Sequence, residues 1–270
     1  MNLLLLLVAV VVGGLLATGT MVLRTDAVSR LGLAALSAAL IGGAANSIND
    51  YFDLEIDRIN RPNRPLPAAQ ISPSAAKVMW AAGSAAGLAL SLLLSLRHVV
   101  LATVAVVLLY LYNVYWKRRV LTGNLAVAFM TALALVYGAW AVGDAGPALV
   151  GAAFAFLTTL AREVIKDIED VRGDSVAAAR TVAVVWGPRR AARIASGVLA
   201  LTVLLTPLPY LLLEYGGLYL LVVLASDVLM LYAIWCMQRP AREQWVRRAS
   251  AAVKGAMAFG IAALVLVVVA

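Results

Sequence analysis

The stretch AANSINDYFDLEIDRINRPNRPLPAA, residues 44–69, joins two opposed chemistries. It ends an apolar run of membrane-helix length, yet Asn46 to Asp57 hold four acids and two asparagines within twelve residues. Asn46, Asp50, Asp53 and Asp57 fall at offsets 0, 4, 7 and 11, which on a helix is one stripe. The same offsets recur 117 residues later in Glu163, Asp167, Asp170 and Asp174. Each window reads as an acidic stripe climbing out of a membrane helix, and nine of the fourteen acids lie in these two windows. The match predicts two similar halves whose acidic helix ends face a central cavity.

The rest of the chain supplies the membrane. Its 270 residues are 63% hydrophobic and 13% charged, with mean hydropathy +0.93. Continuous apolar runs of about 20 residues identify an all-α, polytopic membrane protein and argue against an alternating β-barrel. Nine spans are expected, over 2–23, 31–51, 75–96, 98–115, 124–142, 147–165, 191–212, 217–236 and 251–269, in one membrane domain covering 1–270. The first run lacks a basic leader and a clear small-residue cleavage site, so it reads as a retained helix. Nineteen of the 22 basic residues, among them Lys117, Arg118, Arg119, Arg242 and Lys254, fall in the loops after even-numbered spans or on their flanks. By the positive-inside rule the N-terminus and the acidic loops are cytoplasmic, in the cell membrane. The net charge of +8 then needs no nucleic acid, because anionic lipid accounts for it. The single histidine, His98, reads as interfacial, and the single cysteine, Cys236, permits no intrachain disulfide.

Like charges on one stripe repel, and carboxylates near hydrocarbon are costly, so cations must offset them. Oxygen donors without His or Cys point to a hard ion such as Mg²⁺, and two facing stripes suit ions that clamp a diphosphate. A cation-coupled transporter is the rival class, but its acids usually sit at mid-span, where this chain holds only Asp227. After the first stripe, Arg61 and Arg64 each precede proline. Proline ends the helix near Asn60 and should hold both guanidiniums on a stiff extended loop, aimed at phosphate. Lys117 is the further candidate for a leaving diphosphate, and the neighbouring Tyr110, Tyr112, Tyr115 and Trp116 read as an interfacial belt. The small-residue stretch 173–190 reads either as a short helix over the site, hinged at Gly173 and Gly187, or as ordinary interfacial packing.

These residues resemble a known family. NDYFDLEID, Asn49 to Asp57, fits the NDxxDxxxD motif of UbiA-type intramembrane prenyltransferases, and DVRGD, Asp170 to Asp174, fits their second motif. The wording of REVIKDIEDVRGD and DRINRPNRPLP is most similar to archaeal digeranylgeranylglyceryl phosphate synthases as a group. The segment Glu163 to Lys166 departs from members that take aromatic acceptors. The resemblance implies Mg²⁺-dependent transfer of a prenyl group, geranylgeranyl in that branch, from its diphosphate to geranylgeranylglyceryl phosphate. Aromatic or tetrapyrrole acceptors are the alternative. It implies metal–diphosphate positions at Asn49, Asp53, Asp57, Asp170 and Asp174, with Asp50 and Asp167 as helpers and Asn46 on the same stripe. Arg61, Arg64 and Lys117 would neutralise the departing diphosphate. The implied partners are a polyprenyl diphosphate, a lipid-like acceptor and membrane lipid.

Overall fold

The computed structural model describes residues 3–117, 119–176, 178–239 and 243–269. Arg118, Arg242 and the chain ends lie outside the described residues. Among those described, every regular element is a helix. In chain order they are α1 (Leu3–Thr18), α2 (Thr25–Phe52), α3 (Leu54–Asn60), α4 (Pro73–Leu92) and α5 (Leu96–Leu111). A π-turn (Tyr112–Trp116) precedes α6 (Thr122–Val142), α7 (Gly146–Glu169), α8 (Val171–Val176) and α9 (Val182–Val185). The chain ends with α10 (Pro188–Leu205), α11 (Leu208–Leu212), α12 (Gly217–Met237) and α13 (Glu243–Val269). Eight described helices are long and apolar enough to cross a membrane. The ninth expected span is shorter than 2–23. α1 stops at Thr18, where the next residue, Gly19, adopts φ +62° and turns the chain.

Local chemistry sets the ends of these helices. Ser72 accepts a hydrogen bond from the Ala75 amide at 3.1 Å, and Pro73 opens α4 with its φ already helical. At the opposite end of the bundle, Arg30 Nε donates to the Ala141 carbonyl at 2.6 Å and satisfies the last turn of α6. His98 is not interfacial but fully buried. Its Nε2 lies 3.2 Å from the Tyr137 carbonyl and its Nδ1 lies 2.8 Å from Ser95 Oγ. A carbonyl only accepts, so Nε2 carries the proton and Ser95 donates to Nδ1. The ring thereby ties the start of α5 to the middle of α6.

Lipid gives helices no hydrophobic reason to associate, so close packing must do it. α1 and α6 meet backbone to backbone through reciprocal glycines. A Cβ on Gly13 would stand 1.9 Å from the Leu135 carbonyl oxygen, and one on Gly138 would stand 1.8 Å from that of Val10. Buried alanines fill much of the remaining core, including Ala161, Ala191, Ala195, Ala233, Ala249 and Ala256.

The order of elements repeats. Long α2, short α3 and long α4, α5 and α6 are matched by long α7, short α8 and long α10, α12 and α13, while the short α9 and α11 have no counterpart in the first set. Neither acidic stripe is one continuous helix, contrary to expectation. The first breaks at Asp53 (φ −92°, ψ 0°) and the second at Asp170 (φ −91°, ψ 1°). The flanking bonds also match. Asp53 N donates to Asn49 O and Asp57 N to Asp53 O, as Asp170 N does to Lys166 O and Asp174 N to Asp170 O. The spacing therefore marks a duplicated broken helix end, with its kink at the third residue of each set.

Gly138→Ala should cost roughly 1–3 kcal/mol, the price of overpacking a close contact. Gly32→Ala, where a Cβ meets nothing within 4 Å, should be neutral or slightly stabilising. Thermal unfolding of the detergent-solubilised protein measures both. Equal melting of the two variants would contradict the close approach of α1 and α6.

Candidate active site

Both acidic ends open into one cavity of about 1950 Å³. Asn46, Asn49, Asp50, Asp53, Asp57, Arg61, Arg64, Lys117, Asp170 and Asp174 all line it. Asp167 does not. Its Oδ2 accepts a hydrogen bond from Asn124 Nδ2 at 3.0 Å, behind the wall. Below the polar end the chamber continues between apolar walls that include Leu6, Ala9 and Val12 of α1 and Met130 and Leu135 of α6. On α7 the lining runs from Glu169 to Gly151, a depth of roughly 27 Å at 1.5 Å per residue.

The first motif is held by cations from two other segments. Lys117 donates to Asn49 Oδ1 at 2.9 Å and to Asp53 Oδ2, while Asn49 Nδ2 donates to Asp53 Oδ2 at 3.0 Å. The π-turn delivers that lysine, whose amide bonds back to the Tyr112 carbonyl at 2.7 Å. Such single turns inside α-helices recur at functional sites. Arg64 Nη1 donates to Asp57 Oδ2 at 2.8 Å and to Asp50 Oδ1 at 3.2 Å. The loop carrying it is a run of tight turns, not an extended strand. Arg64 N bonds Arg61 O, Ala68 N bonds Arg64 O, and Gln70 N and Ile71 N both bond Pro65 O. Proline stops the helix as expected, but its neighbours' amides and carbonyls pair locally instead of facing water.

The second motif has fewer fixed partners. Burial pushes the Asp174 carboxyl above the ordinary carboxylate range; Thr181 opposes the shift, Asp170 adds to it, and Lys166 opposes it. Val176 of α8 reaches the cavity lining. α9 is no free lid, because Val182 and Ala183 are buried against the core. Gly187, at φ +83°, turns the chain into α10.

Several lining residues lay beyond the sequence reading. Tyr112, expected in an interfacial belt, faces the cavity. So does Asn113, whose Nδ2 donates to the Leu109 carbonyl at 2.8 Å and whose Oδ1 is buried without a partner. Asn124 carries no charge and stands far from both motifs in sequence, so only the packing of α6 on α7 reveals it. Asp227 lies outside the lining and accepts from Thr206 Oγ1 at 2.9 and 3.0 Å. It anchors α12 to the end of α10.

Fold and site together define an integral, multi-pass membrane protein with a charged chamber open at one end of its helices. The profile described as "UbiA prenyltransferase family" matches residues 6–259, and the chain belongs to that family. It is therefore a prenyltransferase. It is 41% identical over 236 residues to a digeranylgeranylglyceryl phosphate synthase of Thermococcus gammatolerans, covering 85% of this chain and 83% of the relative. It is 38% identical to the enzyme of that name from Natronomonas pharaonis over 229 residues, 84% of this chain and 83% of the relative. A solved structure described as "Structural and mechanistic insights into the biosynthesis of Digeranylgeranylglyceryl phosphate synthase in membranes" superposes with TM-score 0.86. It shares 27% identity and covers 98% of this chain and 93% of that one. A UbiA homologue from Archaeoglobus fulgidus bound to GPP and Mg²⁺ shares the fold, with TM-score 0.65 at 18% identity over 97% of this chain and 96% of that one.

Asp57 is only 6% exposed and pairs with Arg64. Arg64→Ala should cost about 1–3 kcal/mol by leaving a buried acceptor unpaired. Arg64→Ala with Asp57→Asn should recover part of that loss. Thermal unfolding reads both, and equal stability of Arg64→Ala and wild type would contradict the pairing.

Proposed function

We propose that this chain transfers a geranylgeranyl group from its diphosphate to the free hydroxyl of geranylgeranylglyceryl phosphate, with Mg²⁺ at the two acidic motifs. The observation that carries the reading is the single cavity, acidic on both sides at one end and apolar along its depth. A water-soluble diphosphate joined to a long apolar tail needs that polarity in that order. The names of the archaeal relatives support the choice of prenyl group and acceptor. The basic residues support placing the motif end at the cytoplasmic face of the cell membrane. We take residues 1–270 as one functional domain.

The donor set fits a hard cation. It offers amide and carboxylate oxygens, and near hydrocarbon these carboxylates call for positive charge. Among the described residues no three acidic, His or Cys side chains already converge as a metal cluster. In this arrangement Lys117 and Arg64 hold the first set instead. Asn49, Asp53 and Asp57, helped by Asp50, would hold metal on one side; Asp170 and Asp174 would hold it on the other, without Asp167, which lies outside the lining. Bound Mg²⁺ would stabilise the negative charge that develops on the leaving diphosphate.

The chain's own cations do the same work. When the bond between C1 of the prenyl group and its oxygen breaks, an allylic cation remains on the tail and the electron pair leaves with the diphosphate. Lys117, Arg64 and Arg61 line the cavity where that charge appears. The acceptor hydroxyl then attacks C1, and its proton passes to a lining carboxylate or to water. The apolar walls shield the allylic cation from water, which would otherwise quench it.

Purified protein with Mg²⁺, geranylgeranyl diphosphate and geranylgeranylglyceryl phosphate should release diphosphate and form the diether. Chelator should abolish turnover and added Mg²⁺ should restore it. Asp53→Asn or Asp174→Asn should lower kcat/KM by more than about a hundredfold. Turnover only with 4-hydroxybenzoate would overturn the acceptor assignment, and near-wild-type rates in either variant would overturn the site.

A further inference from the structure

The last helix holds a cation that prenyl transfer, as described above, does not use. From Ala249 to Val269, α13 carries one charged side chain, Lys254. An ionised group inside a membrane helix costs about 2.5–3.5 kcal/mol near its centre and less toward its ends, so it persists where it faces a cavity or a partner. Lys254 lines the large cavity, and no ion pair among the described residues reaches it.

Its depth follows from the register of α13 against α7. Ser250 Oγ donates to Glu169 Oε2 at 3.3 Å, which sets these two residues side by side. The helices run antiparallel, so Lys254, one turn on from Ser250, lies roughly one turn deeper than Glu169. That is about the level of Lys166 on α7, with Arg162 roughly one turn deeper, and both line the same cavity. Arg162 pairs with Glu163, and the charge of Lys166 acts on Asp174. The cations of the first motif, Lys117 and Arg64, are bonded to residues of α2 and α3.

A prenyl donor and a phosphorylated acceptor bring two anions into one chamber. They repel unless separate cations hold them apart. We propose that Lys254, flanked by Arg162, binds the phosphate monoester of the acceptor, an inference that rests on the prenyl-transfer reading above. The donor's diphosphate then belongs to the acidic motifs with their cations. Glycerol is short, so a fixed phosphate also fixes the nearby hydroxyl that must reach C1. Lys254 is a specificity residue here; it does not touch the reacting atoms.

The test is steady-state kinetics in nanodiscs, varying each substrate in turn. The acceptors are geranylgeranylglyceryl phosphate and its dephosphorylated counterpart, geranylgeranylglycerol. Lys254→Met should raise the KM for the phosphorylated acceptor roughly ten- to hundredfold, as loss of a charge-assisted contact does. The donor KM should stay put. The wild-type preference for the phosphorylated acceptor should collapse in the variant, and Lys254→Arg should recover most of it. If Lys254→Met fails to fold, as judged by thermal unfolding, Lys254→Gln and Arg162→Gln carry the same readouts. A raised donor KM would assign Lys254 to the diphosphate and overturn the inference, as would an intact phosphate preference. Wild-type protein that uses no glyceryl phosphate acceptor would instead overturn the underlying reading, and this inference with it.

Discussion

Carboxylates at the mouth of a hydrocarbon chamber must be matched by positive charge, and the rest of the site follows from that constraint. Two helix ends bring acids to one cavity, where repulsion and desolvation both work against them. The chain answers with Lys117 on a π-turn and Arg64 on a proline-bounded loop, each bonded to two side chains of the first motif. The second motif leaves Asp174 half-buried with its carboxyl pushed up. The asymmetry suits a site that takes up metal and diphosphate: one side is already neutralised, and the other still attracts positive charge.

Both acidic helices break before the last acid of their set, at Asp53 and Asp170, and Asp57 and Asp174 both line the chamber. Because the element order repeats, the two kinks lie in equivalent helices. Gly13 against the Leu135 backbone and Gly138 against the Val10 backbone hold α1 to α6 so closely that a Cβ at either glycine would clash. The volume left over lies where Leu6, Ala9, Met130 and Leu135 face it, as an apolar path below the charged mouth.

Much of this was legible in the sequence. Apolar runs located every span, because hydrocarbon thickness sets a minimum helix length, but α2 starts six and α13 eight residues before the expected spans, where polar residues continue the helix beyond the apolar run. Asp53, Asp57, Asp170 and Asp174 stood out because acids are rare in this chain and their spacing repeats, whereas Asn49 was marked only by the family motif. The kinks did not stand out, because offsets of 4, 7 and 11 suit a straight helix as well as a broken one. Asn124 and Asn113 were hidden for a different reason: a neutral amide signals nothing until a distant helix packs beside it. His98 read as interfacial from its place beside a tight turn, but Ser95 beside it and the Tyr137 carbonyl on a distant helix satisfy both ring nitrogens in its buried position. Lys254 resembled ordinary topology charge until the register of α13 on α7 gave its depth.

The central claim is that both motifs grip one diphosphate. A double-mutant cycle on donor binding tests it most directly. Affinity for geranylgeranyl diphosphate in the presence of Mg²⁺ would be measured for wild type, Asp53→Asn, Asp174→Asn and the double variant. Two motifs on one ligand predict a coupling of at least about 0.5 kcal/mol, so the combined loss departs clearly from the sum of the single losses. Additive losses would mean that the two motifs act at separate sites, and would contradict the account.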